Sequence, residues 1–167
     1  MGTLRLTLLR HGHAEPLVEG ADDFVRELTK RGRQDATVMG QRLAKDHLVP
    51  ELVLASSARR TQMTVQLLAA AASIPPGTTK YLDELYNASA HHIWGVAIAN
   101  AGNHTHVLVC GHNPGISRLA SRVAAGTPTL ARPFDLPPAG LVTALWHHEG
   151  WTSLQATGAT DAQLLVP

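Results

Sequence analysis

Three short segments hold the residue types needed to grip and attack a phosphoryl group. The first is Arg10-His11-Gly12, at the end of the run LRLTLLRHG over residues 4–12. The second is Ser56 running into Arg59-Arg60, and the third is Gly111-His112-Asn113. A guanidinium offers phosphate oxygens a planar fork of donors, and a neutral imidazole nitrogen can attack phosphorus. Two imidazoles and two or more guanidiniums converging on one point repel one another unless a dianion neutralises them. The pattern therefore predicts an anion site, provided the fold brings the three segments together.

The surrounding elements supply that condition. Each segment closes a short apolar run: Leu4–Leu9, Leu52–Ala55 and His106–Cys110. Runs of this length bounded by turn residues read as buried strands. In an open parallel sheet the carboxyl ends of neighbouring strands lie side by side, and ligands bind there. Between the runs lie helical patterns. Thr29 is placed to cap a helix to His47, with Ala36, Met39, Leu43 and Ala44 as its apolar stripe. Ser57 is placed to cap a second helix over Ala58–Ala72, closed by Pro75-Pro76-Gly77. An extended piece at Thr79–Leu82 precedes a third helix near Ser89–Asn100. Pro114 suits the first turn of a fourth helix through Ala125. His13–Asp23 reads as a surface loop, and the proline-rich Gly126–Gly140 as another. Leu141–His147 and Trp151–Thr157 flank His148-Glu149-Gly150 as a β-hairpin. The fold class expected is α/β: a three-layer α/β/α sandwich on a mainly parallel sheet with an antiparallel C-terminal hairpin, in one domain over residues 1–167.

Composition narrows the function classes. The 167 residues are 44% hydrophobic and 16% charged, as in ordinary globular domains. Net charge is +1, so no global basic field argues for nucleic acid or for an acidic membrane surface. No apolar stretch approaches the roughly 20 residues of a membrane span, and LRLTLLRHG lacks the build of a secretory signal. A cytoplasmic location is expected. Cys110 is the one cysteine; it allows no internal disulfide or multi-cysteine zinc site and reads as a buried small hydrophobe. His91-His92, His147-His148, and His104 with His106 come without carboxylate or thiolate partners at ligand spacing, so no metal is expected. Trp94, Trp146 and Trp151 read as packing residues. There is no phosphate-binding G-x-x-x-x-G-K-[ST] loop.

RHG after the first strand, Ser-x-x-x-Arg at the second helix and GHNPG after a later strand together resemble the histidine phosphatase superfamily, the phosphoglycerate mutase-like fold. ADDFVRELTKRG, LDELYNASA and VLVCGHNPGI resemble its SixA-type phosphohistidine phosphatase branch, with the likeness running from Leu4 to Ala125. The resemblance implies that His11 is the nucleophile and that Arg10 grips phosphoryl oxygens. Gly12 would let the backbone turn and offer its carbonyl to the other imidazole nitrogen. The register Ser56, Arg60, Thr64 selects Arg60, with Arg59 as the alternative; Met63 stands where the family often has glutamine. His112 would donate, protonated, to a phosphoryl oxygen. Asn113 would orient its loop and bring a backbone amide to the anion. Arg26 resembles a further phosphate-contacting arginine of the short branch, and His13 replaces the acidic residue that usually follows RHG.

Glu84 matches the position of the superfamily's general acid, with Asp83, Asp22 and Asp23 as alternatives. An alkyl phosphate leaves poorly without such an acid, whereas a phosphoramidate nitrogen can be protonated before it departs. The implied activity is a metal-independent phosphatase, without cofactor, working through a phosphohistidine on His11. Its expected partner is a phosphate-bearing substrate, foremost a phosphohistidine signalling protein. A small phosphorylated metabolite is the alternative substrate, and a non-catalytic phosphate-sensing module the alternative class.

Overall fold

In the computed structural model, which describes residues 2–167, six strands form one sheet in the order β3-β2-β4-β1-β5-β6. They are β1 (Gly2–Arg10), β2 (Leu52–Ser56), β3 (Thr79–Leu82), β4 (His106–Gly111), β5 (Leu141–His148) and β6 (Asp161–Leu165). The first four run parallel; β5 is antiparallel to β1, and β6 to β5. Four helices complete the layers: α1 (Lys30–Lys45), α2 (Arg59–Ala72), α3 (Ala90–Ala101) and α4 (Gly115–Ala124).

The alternation of side chains along a strand explains why helices are needed on both sides. Leu6, Leu8, Leu54, Val107 and Val109 share a core with Ile93 of α3 and with Ile116, Leu119 and Val123 of α4. Their neighbours Leu9, Val53, Ala55, Leu108 and Cys110 share the other core with Met39 and Leu43 of α1 and Val65 and Leu68 of α2. Every residue of β2 and β4 is buried, so neither strand can show polar alternation. Each fully buried leucine contributes about 1.5–3 kcal/mol.

Local chemistry fixes the helix starts. The Thr29 hydroxyl accepts from Gly32 N at 3.1 Å and caps α1. Ser89 caps α3 in the same way. The expected cap of α2 by Ser57 is absent. Ala58 is the N-cap, without a side-chain bond, and the Ser57 hydroxyl turns to the Asp83 carboxylate. Thr61 ties the start of α2 instead, donating to the carbonyls of Ser56 and Ala58. Pro114 is the N-cap of α4, not its first helical residue, behind a cis Asn113–Pro114 peptide.

The C-terminal hairpin also differs from expectation. Its second strand is Asp161–Leu165, while Trp151–Ser153 forms a 3₁₀ turn. Trp151 and Leu154 are both buried, a spacing of three that a pleated strand cannot satisfy. The Trp151 indole donates to the His104 carbonyl at 2.7 Å, drawing this segment onto the core beside α3. Residues 141–145 then pair with 161–165. Among the described residues no helix is long and apolar enough to cross a membrane.

Helices α1 and α2 touch through Gly40, where an added Cβ would sit 2.4 Å from the Leu68 carbonyl oxygen and 2.8 Å from Ala71 Cβ. Gly40→Val should therefore lower stability by about 1–3 kcal/mol, read as a lower urea midpoint with unchanged slope. An unaltered midpoint would mean that the helix pair separates freely.

Candidate active site

Register sets the site. Arg10 pairs with Gly111 across β1 and β4, so His11 and His112 are the next residues along two adjacent parallel strands. Ala55 pairs with Cys110, which puts Ser56 beside Gly111. The strand ends open into a cleft of about 440 Å³ lined by Arg10, His11, Gly12, Arg26, Arg60, His112 and Asn113, among others. The two imidazole centroids are 5.2 Å apart.

His11 is held in one tautomer. Its Nδ1 lies 2.8 Å from the Gly12 carbonyl oxygen, which can only accept, so the ring proton sits there. Nε2 is then a bare lone pair, 3.3 Å from the Nε of Arg60, which donates to it. Gly12 itself is fixed twice. Its N–H donates to Thr64 Oγ1 at 2.9 Å. Its α-carbon faces α1, where a Cβ would meet the Gly32 carbonyl oxygen at 2.8 Å. Close approach of two backbones, not a left-handed turn, is why glycine stands at position 12.

Arg60 is the centre of the cluster, with its side chain 3% exposed. Nη1 donates to the Asp23 carbonyl at 2.7 Å, and Nη2 reaches Asp23 Oδ2 at 2.9 Å and His112 Nδ1 at 3.1 Å. A guanidinium only donates, so His112 Nδ1 accepts and its Nε2–H donates to Ser56 Oγ at 2.8 Å. His112 is therefore a neutral ring whose Nδ1 accepts from Arg60. Arg59, the alternative to Arg60, points outward and pairs with Glu27 at 3.2 Å. Arg10 Nη1 donates to the Leu136 carbonyl at 2.8 Å, and its Nε is buried without a partner. Arg26 lines the cleft, pairing with Asp23 at 2.8 Å and donating to the Glu15 carbonyl. Asn113 also lines it, its Oδ1 accepting from the Ser117 hydroxyl.

The carboxylates are arranged differently from the expectation. Glu84 does not line the cleft: its carboxylate lies 3.3 Å from His92 Nε2 on an exposed surface. The 3₁₀ turn Asp83–Leu85 aims it there, and buries Leu85 instead. Asp83 holds Ser57, and Asp22 caps a short turn through Phe24 N. Asp23 alone of the four enters. Two further contributors escaped the sequence reading. The Tyr86 hydroxyl donates to Asp23 Oδ2 at 2.7 Å, and its ring stands edge-on to His112 at 5.3 Å. The proline-rich segment closes one wall through Leu136 and Pro138. Neither Tyr86 nor Leu136 carries a sequence signal beyond lying in a turn. His13, at the rim, bonds Thr29 Oγ1 and so braces the α1 cap.

Electrostatics follow from the crowding of cations. Burial pushes the His11 imidazole down to about 4; the Gly12 carbonyl opposes this, and Arg60, Arg10 and Arg26 add to it. His112 falls to about 3, from burial first and then from His11 and Arg60. For Asp23, burial pushes the carboxyl up, but the Tyr86 hydroxyl and the Arg60 and Arg26 charges outweigh it and hold it at about 2. The resting cleft therefore contains two neutral rings, an ionised Asp23 and three guanidiniums. Among the described residues no group of three or more His, Cys, Asp or Glu could hold a metal ion. Cys110 is buried in β4, with its thiol pushed well up by burial.

Residues 6–91 match the family model described as histidine phosphatase superfamily (branch 1). A structure from Agrobacterium tumefaciens assigned as the phosphohistidine phosphatase SixA is 30% identical, over 84% of this chain and 90% of that one, with a TM-score of 0.74. One from Nakamurella multipartitia with the same assignment is 27% identical, over 100% and 98%, at 0.78. The protein histidine phosphatase SixA complexed with tungstate, 21% identical over 98% and 97%, shares the fold at 0.77. An uncharacterized chloroplastic protein of Arabidopsis thaliana is 27% identical over 131 residues, 74% of this chain; the match spans 60% of that protein's length.

His106, also pushed down to about 4 by burial, is a third ring held neutral in the fold. Once unfolded, all three take protons below about 6.5. Their contribution is therefore complete above that pH and is lost as pH falls towards about 4 for His11 and His106 and about 3 for His112. Urea midpoints measured from pH 7.5 to 4.5 should decline across this window; a flat profile would mean that the rings are charged in the fold.

Proposed function

Since the chain belongs to the histidine phosphatase superfamily, we propose that it is a cytoplasmic phosphohistidine phosphatase carrying the phosphoryl group on His11 without a metal. The phosphoryl dianion enters between the guanidiniums of Arg10, Arg60 and Arg26. It satisfies the unpartnered Arg10 Nε and draws the donors of Arg60 away from the two rings. Its charge also favours a proton on His112 Nδ1, which then donates to a phosphoryl oxygen as charge spreads in the transition state.

His11 Nε2 attacks phosphorus in line; the P–Nε2 bond forms and the bond to the leaving nitrogen breaks. The leaving ring departs as neutral imidazole: its other nitrogen has taken a proton from solvent, and the nitrogen released keeps the electron pair of the broken bond. The Nδ1–H of His11 stays on the Gly12 carbonyl throughout. Water next attacks the same phosphorus and the P–Nε2 bond breaks. Phosphate leaves with the hydrogens of that water, one of them passing to solvent, and Nε2 regains its lone pair.

One observation carries the choice of a phosphoramidate: among the described residues, no protonated carboxyl faces the nucleophile. Asp23, held at about 2, is ionised at neutral pH, and Glu84 is turned to His92. General acid catalysis contributes roughly 10²–10⁴-fold to reactions that need it, so alkyl esters suffer most from its lack. The likeness to proteins assigned as SixA supports the same substrate class.

Purified enzyme should hydrolyse a phosphohistidine peptide with kcat/KM at least about 10²-fold above a phosphoserine peptide of the same sequence, with chelator present. Equal rates, or a preference for sugar phosphates, would point to the metabolite alternative. His11→Ala should abolish turnover of para-nitrophenyl phosphate, and Arg60→Ala should lower kcat by about 10²–10³-fold. Activity retained in His11→Ala would overturn the covalent route.

A further inference from the structure

Next to the cleft, α4 and the segment 131–135 wall a groove of about 590 Å³. Arg118 and Arg122, one helical turn apart, present exposed guanidiniums to it, and the half-buried Phe134 gives it an apolar floor. The wall is built rather than draped. Ser121 Oγ both donates to the Phe134 carbonyl and accepts from Phe134 N–H, each at 3.0 Å. Ser117 Oγ accepts from Leu136 N–H at 2.8 Å and donates to Asn113 Oδ1. Asn113 lines the cleft, and the Leu136 carbonyl receives Arg10. Groove and cleft therefore share one hydrogen-bonded frame.

Among the exposed arginines, charge pairing sets those at this groove apart. Arg31, Arg33, Arg42 and Arg59 each pair with a carboxylate. Among the described residues Arg118, Arg122 and the nearby exposed Arg132 pair with none. Asp135 is the one carboxylate in the lining, and its field acts on Arg10. With a net charge of only +1, this excess is local and not a property of the whole chain. Unpaired arginines over an apolar floor complement carboxylates carried on a chain with apolar side chains.

We infer that this groove docks an acidic stretch of the polypeptide that bears the phosphohistidine. Arg118 and Arg122 take its carboxylates while the phosphoryl group enters the cleft. The inference rests on the reading of the cleft as a phosphohistidine phosphatase, and it names a protein, not a metabolite, as the substrate.

Two phosphohistidine peptides of equal length, flanked by glutamates or by glutamines, test it. The glutamate peptide should show about tenfold higher kcat/KM, as expected for two solvent-facing ion pairs, and the advantage should fade at high salt. Arg118→Ala with Arg122→Ala should erase the preference while leaving para-nitrophenyl phosphate turnover unchanged, and the double lysine variant should restore it. Calorimetry with the unphosphorylated peptides reads the groove apart from the chemistry. Selective binding of the glutamate form without hydrolysis of its phosphorylated partner would sink the functional reading and leave the groove assigned. Hydrolysis of both peptides at equal rates would do the reverse. An oligonucleotide of matched charge that displaces the glutamate peptide as effectively would overturn the assignment to an acidic protein segment.

Discussion

The site depends on one buried cation. Arg60 is almost fully enclosed, and burying a guanidinium costs several kcal/mol unless its donors are met. Asp23 meets two of the five, and the two imidazoles meet two more only as neutral rings with lone pairs turned inward. That requirement fixes much else. It holds His11 with the Nε2 lone pair bare and the ring proton on Nδ1, donated to the Gly12 carbonyl. It keeps Asp23 ionised, and through Asp23 it orders Tyr86 and Arg26. It also gathers three guanidiniums around one cleft, so the positive charge that an anion would need is in place before one arrives.

The sheet makes such a cluster possible at low cost. Parallel register places position 11 next to 112, and position 56 next to 111, using backbone bonds that the fold needs in any case. The tight contact of Gly12 with Gly32 then sets the depth of the first loop against α1. The hydroxyl ladder of Ser117 and Ser121 does the same for the far wall. Backbone and small hydroxyl groups position the cleft, while long cationic side chains supply its field.

Much of this was legible in the residues themselves. Strands β2 and β4 are near-continuous apolar runs because both their faces are covered, and they, like β1, end at a chemical residue. Thr29 announced its helix because a hydroxyl before a periodic run has one obvious use. The failures are equally physical. Ser57 looked like a cap, but a carboxylate from a distant turn competed for it. The segment after Gly150 looked like a strand because it follows the turn residues His148-Glu149-Gly150, yet burial at a spacing of three made it a turn. Glu84 matched by sequence position, and a single 3₁₀ turn was enough to aim it elsewhere. Tyr86 was invisible because its partner, Asp23, is remote in sequence and no local pattern links them.

Cys110 lies within β4, two positions before His112, with its sulfur closed off by the core and its thiol disinclined to ionise. Enzymes that work through an exposed thiolate are silenced by peroxide, because the same low pKa that makes sulfur nucleophilic makes it oxidisable. The chemistry proposed for the His11 ring nitrogen, with the lone sulfhydryl sealed within β4, would separate reactivity from redox vulnerability. Such a catalyst would go on working through oxidative stress that switches thiol-based counterparts off.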